Sequence, residues 1–390
     1  MTAEPRRPDD ATLADELADT RSVYIHIPFC RRRCPYCDFA VVAAGESRIS
    51  HRTYVDAVLR DMRSEAPWFA VSAINFGGGT PSAVEPGLIA ELIRRVRDIA
   101  DVTTGAEISL EANPEDWTEE FGEALRGAGV NRITFGVQSL DPTILGSLGR
   151  SHDATAAIQA ISGARHLGFS VGADLIFGTP AESLQSWRAT AETTLSAGID
   201  HLSAYGLTVE RGTALSREVA AGGPAPDQDD QADKYELTQL LAAQAGLVQY
   251  EVSNYAHPGH HCVYNLSTWA QGEYLGFGVG AHGHRDAMRY RNVRRIEKYV
   301  ELVTDGKRPW AGTDRSGHHD YRVERLFLGL RRMAGVAVDE TVVRFLATSD
   351  GQRYLAAGLV EVINERLVVT TPLLTDTVVR SVLSLSPDDC

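Results

Sequence analysis

Six short β-rich runs alternate with amphipathic segments through the first half of the chain. The runs are SVYIHI (22–27), AINFGGG (73–79), EISLEAN (107–113), NRITFGVQS (131–139), FSVGADLIFG (169–178) and DHLSAYGLT (200–208). Helical periodicity fills the gaps, over 54–66, 88–100, 119–129, 154–168 and 183–198. In the first of these, Val55, Val58, Leu59 and Met62 fall on one helical face. Strand, helix and strand at roughly 30-residue spacing is the pattern of parallel βα units. Six units rather than eight predict an α/β fold built on an open, partial (β/α)6 barrel. A doubly wound open sheet gives the same linear pattern and stays open at this point.

Several of the runs end in Gly, Asn, Gln, Ser or Asp. In a barrel, these ends collect at one face, where chemistry is expected. Residues 1–20 are polar and read as a loose leader without the apolar stretch of a secretion signal. Residues 221–230 read as a loop and 233–246 as a helix that stops at Gly246. Residues 249–292, rich in Gly, His and Tyr, read as strands and turns. Beyond about 313, a helix over 321–335 and a hairpin over 358–370 around Asn364 and Glu365 predict a winged-helix-like α+β domain. The expected division is a barrel over 21–220, a connecting helix and extension over 221–312, and the C-terminal domain over 313–390.

Composition narrows the function classes. The chain has 390 residues and a net charge of −14, which argues against a nonspecific nucleic-acid binder. No apolar run reaches the ~20 residues of a membrane span. Three of the five cysteines, Cys30, Cys34 and Cys37, sit within eight residues, while Cys262 and Cys390 are distant. That clustering does not read as a disulfide framework and points to a reducing, cytoplasmic setting.

The string Cys30-Arg-Arg-Arg-Cys34-Pro-Tyr-Cys37 is the strongest chemical signal. Three thiolates in one loop can converge on a soft metal centre. A structural zinc site normally takes four ligands in pairs, and no second CxxC or nearby HxxxH is present. Cubane iron–sulfur clusters usually take four cysteines, so three leave one iron open to a small molecule. Arg31, Arg32 and Arg33 are expected to lower the thiol pKa values and offset cluster charge. Other residues suit a ligand pocket near this loop. Gly77, Gly78, Gly79 and Thr80 close the second run, where absent Cβ atoms let backbone approach a ligand. Glu111 ends the third run, and an inward carboxylate needs a partner. Arg150 offers two-pronged capture of a carboxylate.

CxxxCxxC after the first strand of a βα barrel resembles the radical S-adenosylmethionine (SAM) superfamily. The string Tyr24-Ile-His-Ile-Pro-Phe-Cys30, continued by Cys37-Asp38-Phe39, looks like its oxygen-independent coproporphyrinogen oxidase branch. Asp38-Phe39-Ala40, in place of a further cysteine, is similar to the HemW heme chaperones within it. The resemblance covers residues 22–370. It implies a 4Fe–4S cluster on Cys30, Cys34 and Cys37, and SAM held by Tyr24, Tyr36, Gly78, Gly79, Thr80, Glu111, Gln138, Arg150 and Asp174. It implies that an electron from the cluster cleaves the SAM sulfonium bond to give a 5′-deoxyadenosyl radical, with the protein positioning the cofactors and excluding water.

Relatives carry an HNxxYW string that implies heme contact. Here it reads Tyr264-Asn265-Leu266-Ser267-Thr268-Trp269, so Asn265 and Trp269 match while the His and Tyr do not. His261, Cys262, Tyr264 and His282 are then the alternative heme contacts, with Asn265 and Trp269 beside them. The resemblance implies a heme chaperone that passes heme to an acceptor protein, which can be membrane-associated, and an electron donor such as flavodoxin or ferredoxin. A radical SAM enzyme that decarboxylates a porphyrinogen or transfers methyl groups is the alternative.

Overall fold

A computed structural model of the chain describes residues 20–386 apart from 66, 67 and 69. The leader expected over 1–20 lies, Thr20 excepted, outside the described residues, as does Cys390.

The six β-rich runs form strands β1 (Ser22–Ile27), β2 (Val71–Gly78), β3 (Val102–Ala112), β4 (Arg132–Gln138), β5 (Ser170–Phe177) and β6 (His201–Gly206). All five pairings between them are parallel and run in chain order. Tyr24 lies beside Asn75, Leu110 beside Ile133, and Asp174 beside Ser203. A doubly wound sheet reverses its strand order at a switch point. The unbroken order here is that of a partial barrel.

Alternation along the strands sorts the residues. Val23, Ile25 and Ile27, Ile108 and Leu110, and Val171, Ala173 and Leu175 join one large apolar core with the surrounding helices. Asn75, Ser109, Glu111, Thr134, Asp174 and Ser203 line the barrel interior instead. Helices His51–Ser64, Glu119–Ala128, Ala154–His166 and Leu184–Ser196 begin where Ser50, Thr118, Asp153 and Ser183 accept a backbone N–H of the first turn. Each such cap is worth about 1 kcal/mol. Helix Glu119–Ala128 stops at Gly129, which takes a φ of 100° and returns the chain to β4.

The sheet continues past both edges of the barrel. Tyr274–Phe277 pairs parallel with β1. Antiparallel strands His282–Arg285, Met288–Asn292 and Trp310–Arg315 follow. At the other edge, Asn254–Ala256 and Val248–Gln249 add to β6. One part of 249–292 departs from the expected strands and turns: Val263–Trp269 is a helix. Its first amides, Val263 N and Tyr264 N, donate to the Glu107 carboxylate at 3.2 and 3.3 Å. A carboxylate at a helix N-terminus is favourable, and it docks this helix at the N-terminal end of the barrel.

A second apolar core, including Leu326, Phe345, Leu367 and Val378, holds the C-terminal elements together. These are helices His318–Gly329, Glu340–Ala347, Ser349–Ala356 and Thr375–Val382, with a hairpin of Val360–Ile363 and Arg366–Val369. Asn364 and Glu365 both have positive φ at the hairpin tip, as a two-residue turn matching strand twist requires. The Glu251–Arg332 bridge and the Arg289–Glu324 ion pair join this part to the sheet.

Candidate functional site at the barrel mouth

The cysteine loop leaves β1 through Pro28. It is tied back on itself where Phe29–Cys30 pairs with Val42–Ala43. Cys30, Cys34 and Cys37 are free thiols, each half-buried. Among the described residues, no three His, Cys, Asp or Glu side chains come together tightly enough to share one metal ion. Three thiols on one loop suit a polynuclear cluster, in which each takes a different metal. Burial pushes the Cys30 thiol up to about 11, against the hydrogen bond from Thr80 Oγ1 to Cys30 Sγ at 3.5 Å. Burial also raises the Cys37 thiol. Metal binding would therefore have to displace the protons.

The loop arginines do only part of what their positions suggested: Arg33 lowers the Cys37 thiol, but burial outweighs it. Arg31 pairs with Asp116 at 2.5 Å, and Arg33 pairs with Glu46 at 3.0 Å. Glu46 lies at the surface, whereas the Asp116 side chain is buried; both carboxylates draw the guanidinium groups into ion pairs, and burial dominates at Cys30 and Cys37. The guanidinium beside a sulfur is that of Arg150, whose Nη1 lies 3.8 Å from Cys34 Sγ. Arg150 Nη2 donates to Asn113 Oδ1 at 2.6 Å and to the Gly136 carbonyl at 2.9 Å. Its Nε is buried without a partner.

The glycines answer first to packing within the protein. A Cβ on Gly77 would lie 2.7 Å from the Glu111 carboxylate, and one on Gly79 would lie 2.6 Å from the Pro28 carbonyl. Gly78 has a φ of 111°, and its Cβ would meet the His26 ring at 2.3 Å. The loop over 75–81 is thus laid directly on β1 and on the start of the cysteine loop. His26 ties the layers together, bonding Tyr24 Oη through Nδ1 at 3.0 Å and the Ala40 carbonyl through Nε2 at 3.0 Å. Burial lowers its pKa to about 4, so the ring is neutral.

Glu111 accepts from Gly78 N at 3.3 Å. Gln138, at the end of β4, holds a left-handed φ of 63°, a strained conformation for a non-glycine residue. Tyr36 packs beside Ile144, Leu148 and Ile176. These side chains meet around one cavity of about 450 Å³ at the C-terminal strand ends. Cys30, Cys34, Cys37, Tyr36, Gly78, Gly79, Thr80, Glu111, Gln138, Arg150 and Asp174 all line it. Tyr24 stands apart, inside the barrel, stacked on Tyr264 at 5.9 Å. Asn113 and Tyr205, which no motif in the sequence singles out, also line the cavity, and His26 lies beneath it. The inward phase that His26 shares with Tyr24 along β1 was the available signal.

The six heme candidates do not gather at one point. Cys262, Tyr264, Asn265 and Trp269 line a second cavity of about 280 Å³ in the barrel interior. Cys262 Sγ donates to Glu107 Oε1 at 3.5 Å. His261 packs edge-on to Tyr250. His282 is exposed, on the antiparallel extension beyond β1.

A partial barrel with three free thiols and a glycine loop at its mouth defines a radical SAM protein, and the radical SAM superfamily model matches residues 24–194. The heme chaperone HemW of Mycobacterium tuberculosis is 37% identical over 374 residues, covering 93% of this chain and 94% of that protein. HemW of Bacillus subtilis is 32% identical, covering 85% of this chain and 88% of its own length. The structure of coproporphyrinogen III oxidase (HemN) from Escherichia coli, a radical SAM enzyme, superposes with a TM-score of 0.80 at 21% identity, covering 98% of this chain and 94% of that one. The chain belongs to the HemW heme chaperone family.

Proposed function

We propose that this chain is a heme chaperone. It carries a 4Fe–4S cluster on Cys30, Cys34 and Cys37, binds SAM in the mouth cavity, and holds heme for transfer to an acceptor protein. The observation that carries this reading is the convergence of the three thiols with Glu111, Gln138, Arg150 and Asp174 on one 450 Å³ cavity. The donor set fits the cofactors. Three soft sulfur donors suit iron, and the partnerless Nε of Arg150 offers a donor to a carboxylate. Glu111 and Asp174 offer acceptors to an amine or ribose. When bound, the cluster and SAM together supply reductive cleavage of the sulfonium bond. The chain's own residues hold the cysteine loop, orient the ligand and line the cavity.

The same reading assigns the barrel to 21–220, the extension to 221–312 and the C-terminal domain to 313–390. It places the protein in the cytoplasm, with a flavodoxin or ferredoxin as electron donor and an acceptor that can be membrane-associated. No helix among the described residues is long and apolar enough to cross a membrane. The test is anaerobic reconstitution with iron and sulfide, followed by separate additions of SAM and heme and then of an apo-acceptor. Heme appearing in the acceptor's spectrum supports the reading. Retention of all heme, or no heme uptake, overturns it.

A further inference from the structure

Residues 285–295 carry five arginines in a chain of net charge −14: Arg285, Arg289, Arg291, Arg294 and Arg295. Part of this basic run lies on the antiparallel extension of the barrel sheet. His282 pairs with Arg291, and His284 with Arg289. Directly opposed residues put their side chains on the same face. Tyr274 pairs with His284 and also packs against Tyr264 in the barrel interior at 6.1 Å. The face bearing His282 and Arg291 is therefore continuous with the inside of the barrel.

The C-terminal elements cover one end of that face. His284 is buried near Tyr321, and Arg289 is taken by Glu324. His282 lies farther out and is exposed. Neither Arg291 nor Arg294 joins an ion pair among the described residues. Arg294 donates to the Asp38 carbonyl in the cysteine loop. A Cβ on Gly280 would lie 2.5 Å from that of Ala40. The start of the His282 strand thus adjoins residues 38–40, where Phe39 is 59% exposed on the rim of the mouth cavity.

We propose that heme docks on this face, with the His282 imidazole on the iron, Arg291 and Arg294 on the two propionates, and Phe39 against the macrocycle. The chemistry suits each part of the ligand. Imidazole is a common iron ligand, guanidinium matches a carboxylate fork, and an exposed aromatic ring offers a flat apolar surface. Burial, with Arg291, Arg289 and Arg294 nearby, lowers the pKa of His282 and favours the neutral, metal-binding ring. The interior alternative is less suited. Its 280 Å³ cavity falls below the range of about 300–1,000 Å³ typical of ligand pockets. There, burial pushes the Cys262 thiol up to about 12.

This inference rests on the heme-chaperone reading, and the experiment separates the two. Full-length protein, reconstituted with its cluster, is titrated anaerobically with ferric heme while the Soret band and the heme EPR spectrum are followed. Wild type is expected to show saturable binding. His282→Ala should weaken it by about tenfold or more and change the iron spin state, and free imidazole should restore the wild-type spectrum. The double variant Arg291→Ala/Arg294→Ala should weaken binding of heme but not of heme dimethyl ester. Tyr264→Phe should bind as wild type does. If wild type takes up no heme, the chaperone reading falls as well. If wild type binds and His282→Ala matches it in affinity and spin state, only the docking site is overturned.

Discussion

The carboxyl groups of Glu111 and Asp174 line the same cavity, and the charge of Asp174 adds to burial in pushing Glu111 up to about 7. Burial pushes Asp174 up to about 6. Two carboxylates in so confined a space are costly to ionise together. A cationic or donor-rich ligand would relieve that cost.

A pH dependence follows. The Glu111 carboxyl has an ordinary value of 4.5 and titrates near 7 in the fold. Between these values the folded protein retains a proton that the unfolded chain has lost. Its contribution to stability therefore falls as pH rises through that window. Glu111→Gln should be more stable than wild type at pH 8, by on the order of 3 kcal/mol, and equal to it near pH 4. Denaturant unfolding of cofactor-free protein at both pH values checks this. SAM affinity should rise in wild type from pH 6 to 8 and change less in the variant.

Gly79 and Gly87 form a matched pair. A Cβ at Gly79 would strike the Pro28 backbone, two residues before Cys30, while one at Gly87 meets nothing within 4 Å. Gly79→Ala should cost about 1–3 kcal/mol and lower the iron bound on reconstitution. Gly87→Ala, in helix Pro86–Ile99, should be neutral or stabilising. Equal melting temperatures and iron contents for the two variants would contradict the packing role.

Arg150→Lys keeps the charge but loses the planar fork that reaches Asn113, Gly136 and Cys34 together. Loss of a donor near a cluster sulfur should shift the midpoint potential negative, by on the order of tens of millivolts. A redox titration followed by EPR reads it. An unchanged potential would place Arg150 outside the cluster's surroundings.

Lys234 is fully buried, with its Nζ 2.6 Å from Asp230 Oδ2 and 3.3 Å from Glu182 Oε2. Glu182 in turn accepts from Gly178 N at the end of β5. Lys234→Met leaves a buried carboxylate unpaired and should cost about 3–5 kcal/mol. Adding Glu182→Gln should recover part of the loss. The two effects adding without recovery in chemical denaturation would show that the pair is not coupled.

Much of the mouth was legible because a barrel converts linear order into a ring. Glu111, Gln138 and Asp174 belong to successive strands, so one pattern placed them together, and the three cysteines share one loop. Contacts across long sequence separations were not legible. Glu107 receives the amides of Val263 and Tyr264, 156 and 157 residues away, and no local periodicity signals that meeting. The parallel pairing of Tyr274–Phe277 with β1 spans an even longer separation. Arg31 and Arg33 illustrate a different limit: the sequence shows charge beside a thiol, while Asp116 and Glu46 determine where that charge points.

The most direct measurement is the EPR spectrum of reconstituted, reduced protein, recorded before and after SAM is added, together with metal analysis. Three thiolates with an open iron predict four irons per chain and a cluster signal that changes when SAM binds. Zinc in place of iron, or an iron signal that SAM leaves untouched, would contradict the account.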